Sequence, residues 1–123
     1  MIQKQTMLKI ADNSGAKMAQ VICLLGGTGR RFAGLGDIVK VAIKKALPNG
    51  TVKRSAVVDA VIVRVRKESR RANGTYIRFD DNAAVIINAN REPVGSRIFG
   101  PIASELKGRG SFDKILSLAI QVI

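Results

Sequence analysis

The sequence predicts a mainly β protein, a small barrel or sandwich closed at one end by two short helices. Three observations carry that expectation. Short runs rich in Val, Ile and Ala recur along the first two-thirds of the chain. Clusters of Gly, Asn, Asp, Ser and Pro punctuate them. Beyond Pro93 the apolar spacing changes to the i, i+3, i+4 pattern of a helix. A length of 123 residues suits one domain, 1–123, and 46% hydrophobic content supplies it with a core.

The elements follow in order. Met7 to Ala11 is a short strand, stopped by the turn cluster Asp12-Asn13-Ser14-Gly15. Met18 to Leu25 is a longer and mostly apolar strand, as if buried on both faces; Cys23 within it reads as a small buried hydrophobe. Gly26-Gly27-Thr28-Gly29 ends it. Asp37 to Lys44 alternates, with Val39, Val41 and Ile43 opposing Ile38, Lys40 and Lys44. Pro48-Asn49-Gly50 makes a turn. Ala56 to Arg66 is the clearest strand: period-2 geometry puts Val57, Val61, Val63 and Val65 on one face and Ile62, Arg64 and Arg66 on the other. Asn73-Gly74 predicts a two-residue type I′ hairpin turn, because both central residues of that turn need positive φ. Thr75 to Phe79 is the returning strand, and Ala83 to Asn88 the last. Pro101 to Leu106 predicts a short helix with proline in its first turn, broken by Gly108-Arg109-Gly110. Phe112, Ile115, Leu116 and Ala119 then share one helical face, with Ser111 as N-cap.

Charge points to the partner. Lys and Arg number 21 against 9 Asp and Glu, a net +12. Such a surplus repels itself in a compact fold, and a polyanion relieves it. Composition favours nucleic acid over an anionic membrane or an acidic protein. Ten of the twelve net charges fall within residues 30–78, so the field belongs to the body of the chain. The candidate phosphate-binding residues are Arg30, Arg31, Lys40, Lys44, Lys45, Lys53, Arg54, Arg64, Arg66, Lys67, Arg70, Arg71 and Arg78. Arginine's planar fork suits phosphate in the Arg64 to Arg78 hairpin. Four Phe, one Tyr and no Trp offer little platform for stacking successive bases of a single strand. Folded RNA, read through shape and phosphates, fits better.

Catalytic chemistry finds no foothold. With no histidine, the commonest general base and metal ligand is missing. One cysteine excludes an internal disulfide and, with no histidine, an ordinary zinc site. Asp80 and Asp81 read as solvated turn residues. Gly26-Gly27-Thr28-Gly29-Arg30-Arg31 has Phe32 where a dinucleotide fingerprint needs its third glycine, and no Gly-Lys-Ser/Thr triplet of a P-loop follows. It reads instead as a glycine loop carrying two arginines to RNA backbone. Asn49-Gly50-Thr51 and Asn73-Gly74-Thr75 match the glycosylation pattern and are read as turns. No apolar run approaches the ~20 residues of a membrane span. The chain is expected to be no enzyme, to need no cofactor or metal, and to engage neither a membrane nor a small-molecule substrate.

Several motifs occur together in order: Ile10-Ala11-Asp12-Asn13-Ser14-Gly15-Ala16 after Met1-Ile2-Gln3 and Thr6; Ala60-Val61-Ile62-Val63, nine residues, Asn73-Gly74, four residues, Phe79, then Asn82 and Val85-Ile86; Arg97-Ile98-Phe99-Gly100-Pro101, Glu105-Leu106, Lys114-Ile115 and Ser117-Leu118-Ala119. On these the chain resembles, over essentially its whole length, the universal family of large-subunit ribosomal proteins numbered fourteen, in its bacterial and organellar branch. It departs from the common pattern at Ser96, where threonine is usual, at Ile120-Gln121 in place of Pro-Glu, and in the glycine-rich Lys107-Gly108-Arg109-Gly110-Ser111.

The resemblance implies a small five-stranded β-barrel with a projecting β-hairpin and short C-terminal helices. Residues 1–92 would hold the barrel and its basic ribbon, and residues 93–123 a C-terminal loop and the helices. It implies binding to large-subunit rRNA, a bridge to small-subunit rRNA, and contacts with large-subunit proteins nineteen and three. It also implies docking of the ribosome silencing factor, for which the matching positions are Ser96, Arg97 and Lys114. The implied location is the ribosome, in the cytoplasm or in an organelle.

Overall fold

The computed structural model describes residues 2–25, 31–71, 73–109 and 112–123. Its strands are β1 (Met7–Ile10), β2 (Ala16–Leu24), β3 (Ile38–Ala46), β4 (Val57–Arg64), β5 (Ser69–Arg70), β6 (Tyr76–Ile77), β7 (Ala83–Ile87), β8 (Pro101–Ile102) and β9 (Gln121–Val122). Five of them close a barrel in the order β1-β2-β3-β4-β7. All pairings are antiparallel except the closing one, where β1 runs parallel to β7. Closure leaves the barrel no open edge. β5 and β6 form a separate ribbon between β4 and β7, and β8 pairs with β9 in parallel. A 3-10 helix spans Ser104–Arg109, and α1 spans Asp113–Leu118.

Two packed clusters account for the burial. One fills the barrel interior, from Leu8, Ala19, Val21, Val39, Val41, Ile43, Ala60, Ile62, Ala84 and Ile86. The other lies outside the barrel wall. There Val61, Val63, Ala83, Val85 and Ile87 of β4 and β7 meet Ile98, Ile102, Leu106, Phe112 and Ile115 of the C-terminal segment. This is why β7 is buried at every position, where a barrel strand with one wet face would alternate. The predicted helical face is present: Phe112 and Ile115 are buried, with Leu116 and Ala119 packed beside them.

Register shifts in the pairing shape the outer surface. Between Ala16↔Ala46 and Met18↔Lys45, Lys17 is an extra residue; between Met18↔Lys45 and Ala19↔Ile43, Lys44 is; between Val21↔Val41 and Cys23↔Lys40, Ile22 is. Each such bulge lets two consecutive side chains share a face. So Lys44 and Lys45 are both exposed after buried Ile43, and Ile22 and Cys23 both look outward after buried Val21. The expectation that Met18 to Leu25 is buried on both faces is therefore corrected: Ile22 is 43% exposed and Cys23 half-buried. A fourth bulge, between Ile62↔Ala84 and Arg64↔Ala83, reverses the strand phase after Val63. Val65 consequently packs inside the barrel, not with Val61 and Val63, and Arg64 leaves the face of Ile62.

Two further expectations change. Pro101 and Ile102 form a strand, and the helical residues begin at Ser104; pairing with Gln121–Val122 overrides the local helix signal. The ribbon turn is one residue longer than predicted: Arg71 N–H donates to Thr75 O (2.8 Å), Gly74 N–H donates to Arg71 O (3.0 Å), and Gly74 sits at φ +85. This is the arrangement of a three-residue hairpin loop ending on glycine. Asn73 Oδ1 accepts from Thr75 N (3.1 Å) and Oγ1 (2.6 Å). Ser111 and the glycine loop at 26–29 lie outside the described residues; the N-cap position of α1 is Phe112, without a side-chain cap, and not Ser111.

Candidate nucleic-acid interface

The C-terminal segment covers the β4–β7 side of the barrel, which leaves the β1–β2–β3 side open to solvent. The cations gather there. Lys9, Met18 and Lys45 lie in one lateral row across β1, β2 and β3 by register. Two concavities adjoin around them. One, of about 570 Å³, is lined by Ile10, Met18, Leu47 and Phe99, with Lys9, Lys17 and Lys45 also on its walls. The other, of about 480 Å³, is lined by Lys17, Lys44, Lys45, Ala46, Leu47 and Arg54. It contains four cationic residues and no carboxylate. Among the described residues no salt bridge engages Lys17, Lys44, Lys45 or Arg54.

The ribbon is the second cationic surface. Arg66, Lys67, Arg70 and Arg78 are exposed. The ribbon is held at its base by Phe79 N–H to Val65 O (3.0 Å) and Arg66 N–H to Asn82 Oδ1 (2.7 Å). Arg31 and Lys53 are also exposed, with Lys53 Nζ donating to Pro48 O (3.1 Å), and Lys40 stands 3.8 Å from Asp59. Arg30 lies outside the described residues.

Two predicted phosphate ligands are engaged within the chain. Arg64 is only 11% exposed in its side chain and 2.9 Å from Asp81. Its Nη1 donates to Phe99 O (2.9 Å) and Pro101 O (3.1 Å). The bulge turns it onto the C-terminal segment, and Gly100 (φ +77) makes room: a Cβ there would lie 2.4 Å from Nη1. Arg71 Nε is 2.6 Å from Glu105, and its Nη2 donates to the Ile123 carbonyl oxygen. Neither guanidinium is presented to solvent as a free fork; both tie barrel or ribbon to the C-terminal segment. Conversely, the concentration of charge in residues 30–78 concealed Lys9 and Lys17, which antiparallel pairing of β1 and β2 brings beside Lys45. Lys17 lies on the strand adjacent to the Asp37 to Lys44 run and Lys9 one strand further on, and that strand order is the signal that locates them.

Near the open side, Asn13 organises the loop that carries Ser96 and Arg97. Its Oδ1 accepts from Ser96 N (2.8 Å) and Arg97 N (3.1 Å), and its Nδ2 donates to Ser96 Oγ (3.0 Å). Both residues are exposed. Lys114 is exposed on α1, 4.0 Å from Glu92. Beneath, buried Asp12 accepts from Ser14 N (3.2 Å), Ser14 Oγ (2.6 Å) and Ile86 N (3.1 Å). Burial pushes its carboxyl above the usual 3.8, and these hydrogen bonds offset only part of that rise.

Among the described residues no group of His, Cys, Asp or Glu is placed to hold a metal ion, and no helix is long and apolar enough to cross a membrane. A closed barrel with one side padded by its own C-terminus and the other carrying Lys17, Lys44, Lys45 and Arg54 without a carboxylate partner defines a small basic barrel protein. The match to known families is specific: a family model described as ribosomal protein L14p/L23e covers residues 1–123, and the chain belongs to that family. It is a structural protein of the large ribosomal subunit.

Proposed function

We propose that the chain binds large-subunit rRNA through phosphate and shape contacts and contributes to an intersubunit bridge with small-subunit rRNA. The observation that carries this is the pair of exposed, largely unpaired cationic surfaces, one on the barrel side its own C-terminus leaves bare and one on the ribbon. Lys44, Lys45 and Arg54 serve one surface and Arg66, Lys67, Arg70 and Arg78 the other, with Arg30, Arg31, Lys40 and Lys53 as further phosphate ligands. Arg64 and Arg71 act indirectly, by holding the ribbon and barrel wall on the C-terminal segment. Residues 1–92 supply the barrel and ribbon, and residues 93–123 the segment that presents Ser96, Arg97 and Lys114 to protein partners. Those partners are large-subunit proteins nineteen and three and the ribosome silencing factor. The chain works without a cofactor, bound to ribosomes, and catalyses nothing.

The test is the salt dependence of binding to large-subunit rRNA. Each phosphate contact removed lowers the log–log slope by about one. Arg70→Ala is expected to do so; Arg71→Ala, whose guanidinium is committed internally, is expected to leave the slope intact while lowering stability. An unchanged slope in Arg70→Ala and in Lys44→Ala/Lys45→Ala would remove both surfaces from the interface. Stoichiometric sedimentation with large subunits after a moderate salt wash is expected; recovery only at the top of the gradient would mean a free RNA-binding factor.

A further inference from the structure

The two concavities on the open side differ in chemistry and share a wall. Lys17, Lys45 and Leu47 line both. On one side of that wall are only cations and the small Ala46. On the other, the floor is apolar, and two of its large side chains are wet: Leu47 is 47% and Phe99 50% exposed. The Phe99 backbone is anchored on both sides, its N–H donating to Ala11 O (2.6 Å) and its carbonyl accepting from Arg64 (2.9 Å), which holds the ring's attachment point at the cleft. A rigid RNA helix presents phosphates but no exposed base face, so it satisfies the cationic half and leaves the apolar half empty. An unpaired nucleotide satisfies both.

We propose that this double cleft takes one unstacked nucleotide of an RNA, its flanking phosphates on Lys17, Lys44, Lys45 and Arg54 and its base laid against Phe99, Leu47 and Met18. The proposal rests on the RNA-binding function above and names the feature recognised at this site. The floor volume lies in the range of small-ligand sites. Besides lysines its walls carry Asn13, whose carboxamide is committed to Ser96 and Arg97, and buried Asp12, which is committed to Ser14 and Ile86. With both polar groups engaged within the chain, the site selects an extruded base over a stacked one, with little preference among the four. An acidic segment of a protein with an apolar anchor has the same complementarity. The nucleotide is favoured because four cations form an unbroken cluster free of carboxylates, the spacing-tolerant pattern that tracks a phosphodiester backbone.

The test compares two RNA hairpins of equal length, one fully paired and one with a single bulged 2-aminopurine, on the intact chain. Wild type is expected to bind the bulged hairpin more tightly and to change its fluorescence. Phe99→Ala/Leu47→Ala should lose about tenfold in affinity for the bulged hairpin alone, the worth of one stacked base, with the salt slope unchanged. Phe99→Tyr should retain binding, and matched thermal melts exclude misfolding. Lys44→Ala/Lys45→Ala should flatten the slope for both hairpins. Equal affinity for the two hairpins in wild type, with the ribbon variant Arg70→Ala still weakening both, overturns the nucleotide site while leaving RNA binding standing. Failure to bind either RNA sinks both. An Asp/Glu-rich amphipathic peptide that binds in a Phe99-dependent manner, with no preference for the bulge, overturns it in favour of a protein partner.

Discussion

Gly50→Ala isolates a contact between two loops that support the open side. A Cβ on Gly50 would lie 2.7 Å from the Gly15 Cα and 3.1 Å from the Ser14 carbonyl oxygen. Both neighbours are backbone, so neither can rotate away. Restoring ordinary contact requires the loops to part by roughly 0.7 Å. That movement strains two hydrogen bonds between them, Leu47 N–H to Gly15 O (2.8 Å) and Val52 N–H to Ser14 O (3.1 Å). Their weakening, at about 1 kcal/mol each, adds to an overpacking cost of about 1–3 kcal/mol. The expected loss is about 3–5 kcal/mol, read as a lower urea midpoint at unchanged m. Gly74→Ala is the control. Gly74, unlike Gly50, has positive φ, but nothing lies within 4 Å of its added Cβ, so only backbone strain of about 1 kcal/mol applies. A Gly50→Ala cost no larger than that of Gly74→Ala would show that the loops yield and that the contact is not a constraint.

Arg64→Ala leaves Asp81 without its 2.9 Å partner and two C-terminal carbonyls without their donor; a loss of about 3 kcal/mol is expected by chemical denaturation, and a change under about 1 kcal/mol refutes the latch. Val63→Asp places an unpaired charge in the fully buried outer cluster and is expected to cost about 4 kcal/mol; a protein that melts as wild type does would refute the packing of β4 against the C-terminus. Asp12→Asn tests the raised carboxyl. The folded state holds that proton more tightly than the unfolded chain, so its stabilisation is full below the unfolded value of 3.8 and is lost as pH rises through the folded one. The unfolding free energy of wild type relative to Asp12→Asn should therefore increase on acidification; a difference that is flat, or that grows toward neutral pH, contradicts the burial argument.

The strands of the barrel were legible because alternation survives wherever one face is dry, as in Val39, Val41 and Ile43. What the sequence hid was the bulges. Nothing in Lys44-Lys45, Ile22-Cys23 or Val63-Arg64 marks an extra residue, since a bulge is a property of the pair of strands and its cause sits on the partner. Each one shifted the assignment of faces beyond it, which is why Ile22 was expected to be buried and Val65 to join Val63. Pairing of Pro101–Ile102 with Gln121–Val122 was hidden for a related reason, as two-residue strands carry no period. The cationic residues of the site were visible as charge, yet composition says nothing about which guanidinium is already engaged. Arg64 and Arg71 look like Arg66 and Arg70 until Asp81 and Glu105 are brought to them. Lys9 and Lys17 were overlooked because proximity in the chain stood in for proximity in space.

The outer cluster on β4 and β7 bears on how the molecule is made. A polypeptide emerging from its own synthesis has every barrel strand once residue 87 is out, so the barrel can close. Its outer wall is still bare at that moment, with Val61, Val63, Val85 and Ile87 awaiting Ile98, Ile102, Leu106, Phe112 and Ile115. The nascent protein therefore passes through a stage in which a finished barrel displays a greasy flank, the kind of surface that draws chaperones or other unfinished chains. Arg64 is caught in the same interval, exposed beside that flank until Phe99 and Pro101 arrive. The last quarter of the chain is thus the step that turns a sticky intermediate into a soluble subunit, and a transcript truncated after residue 92 would yield a closed barrel prone to aggregation.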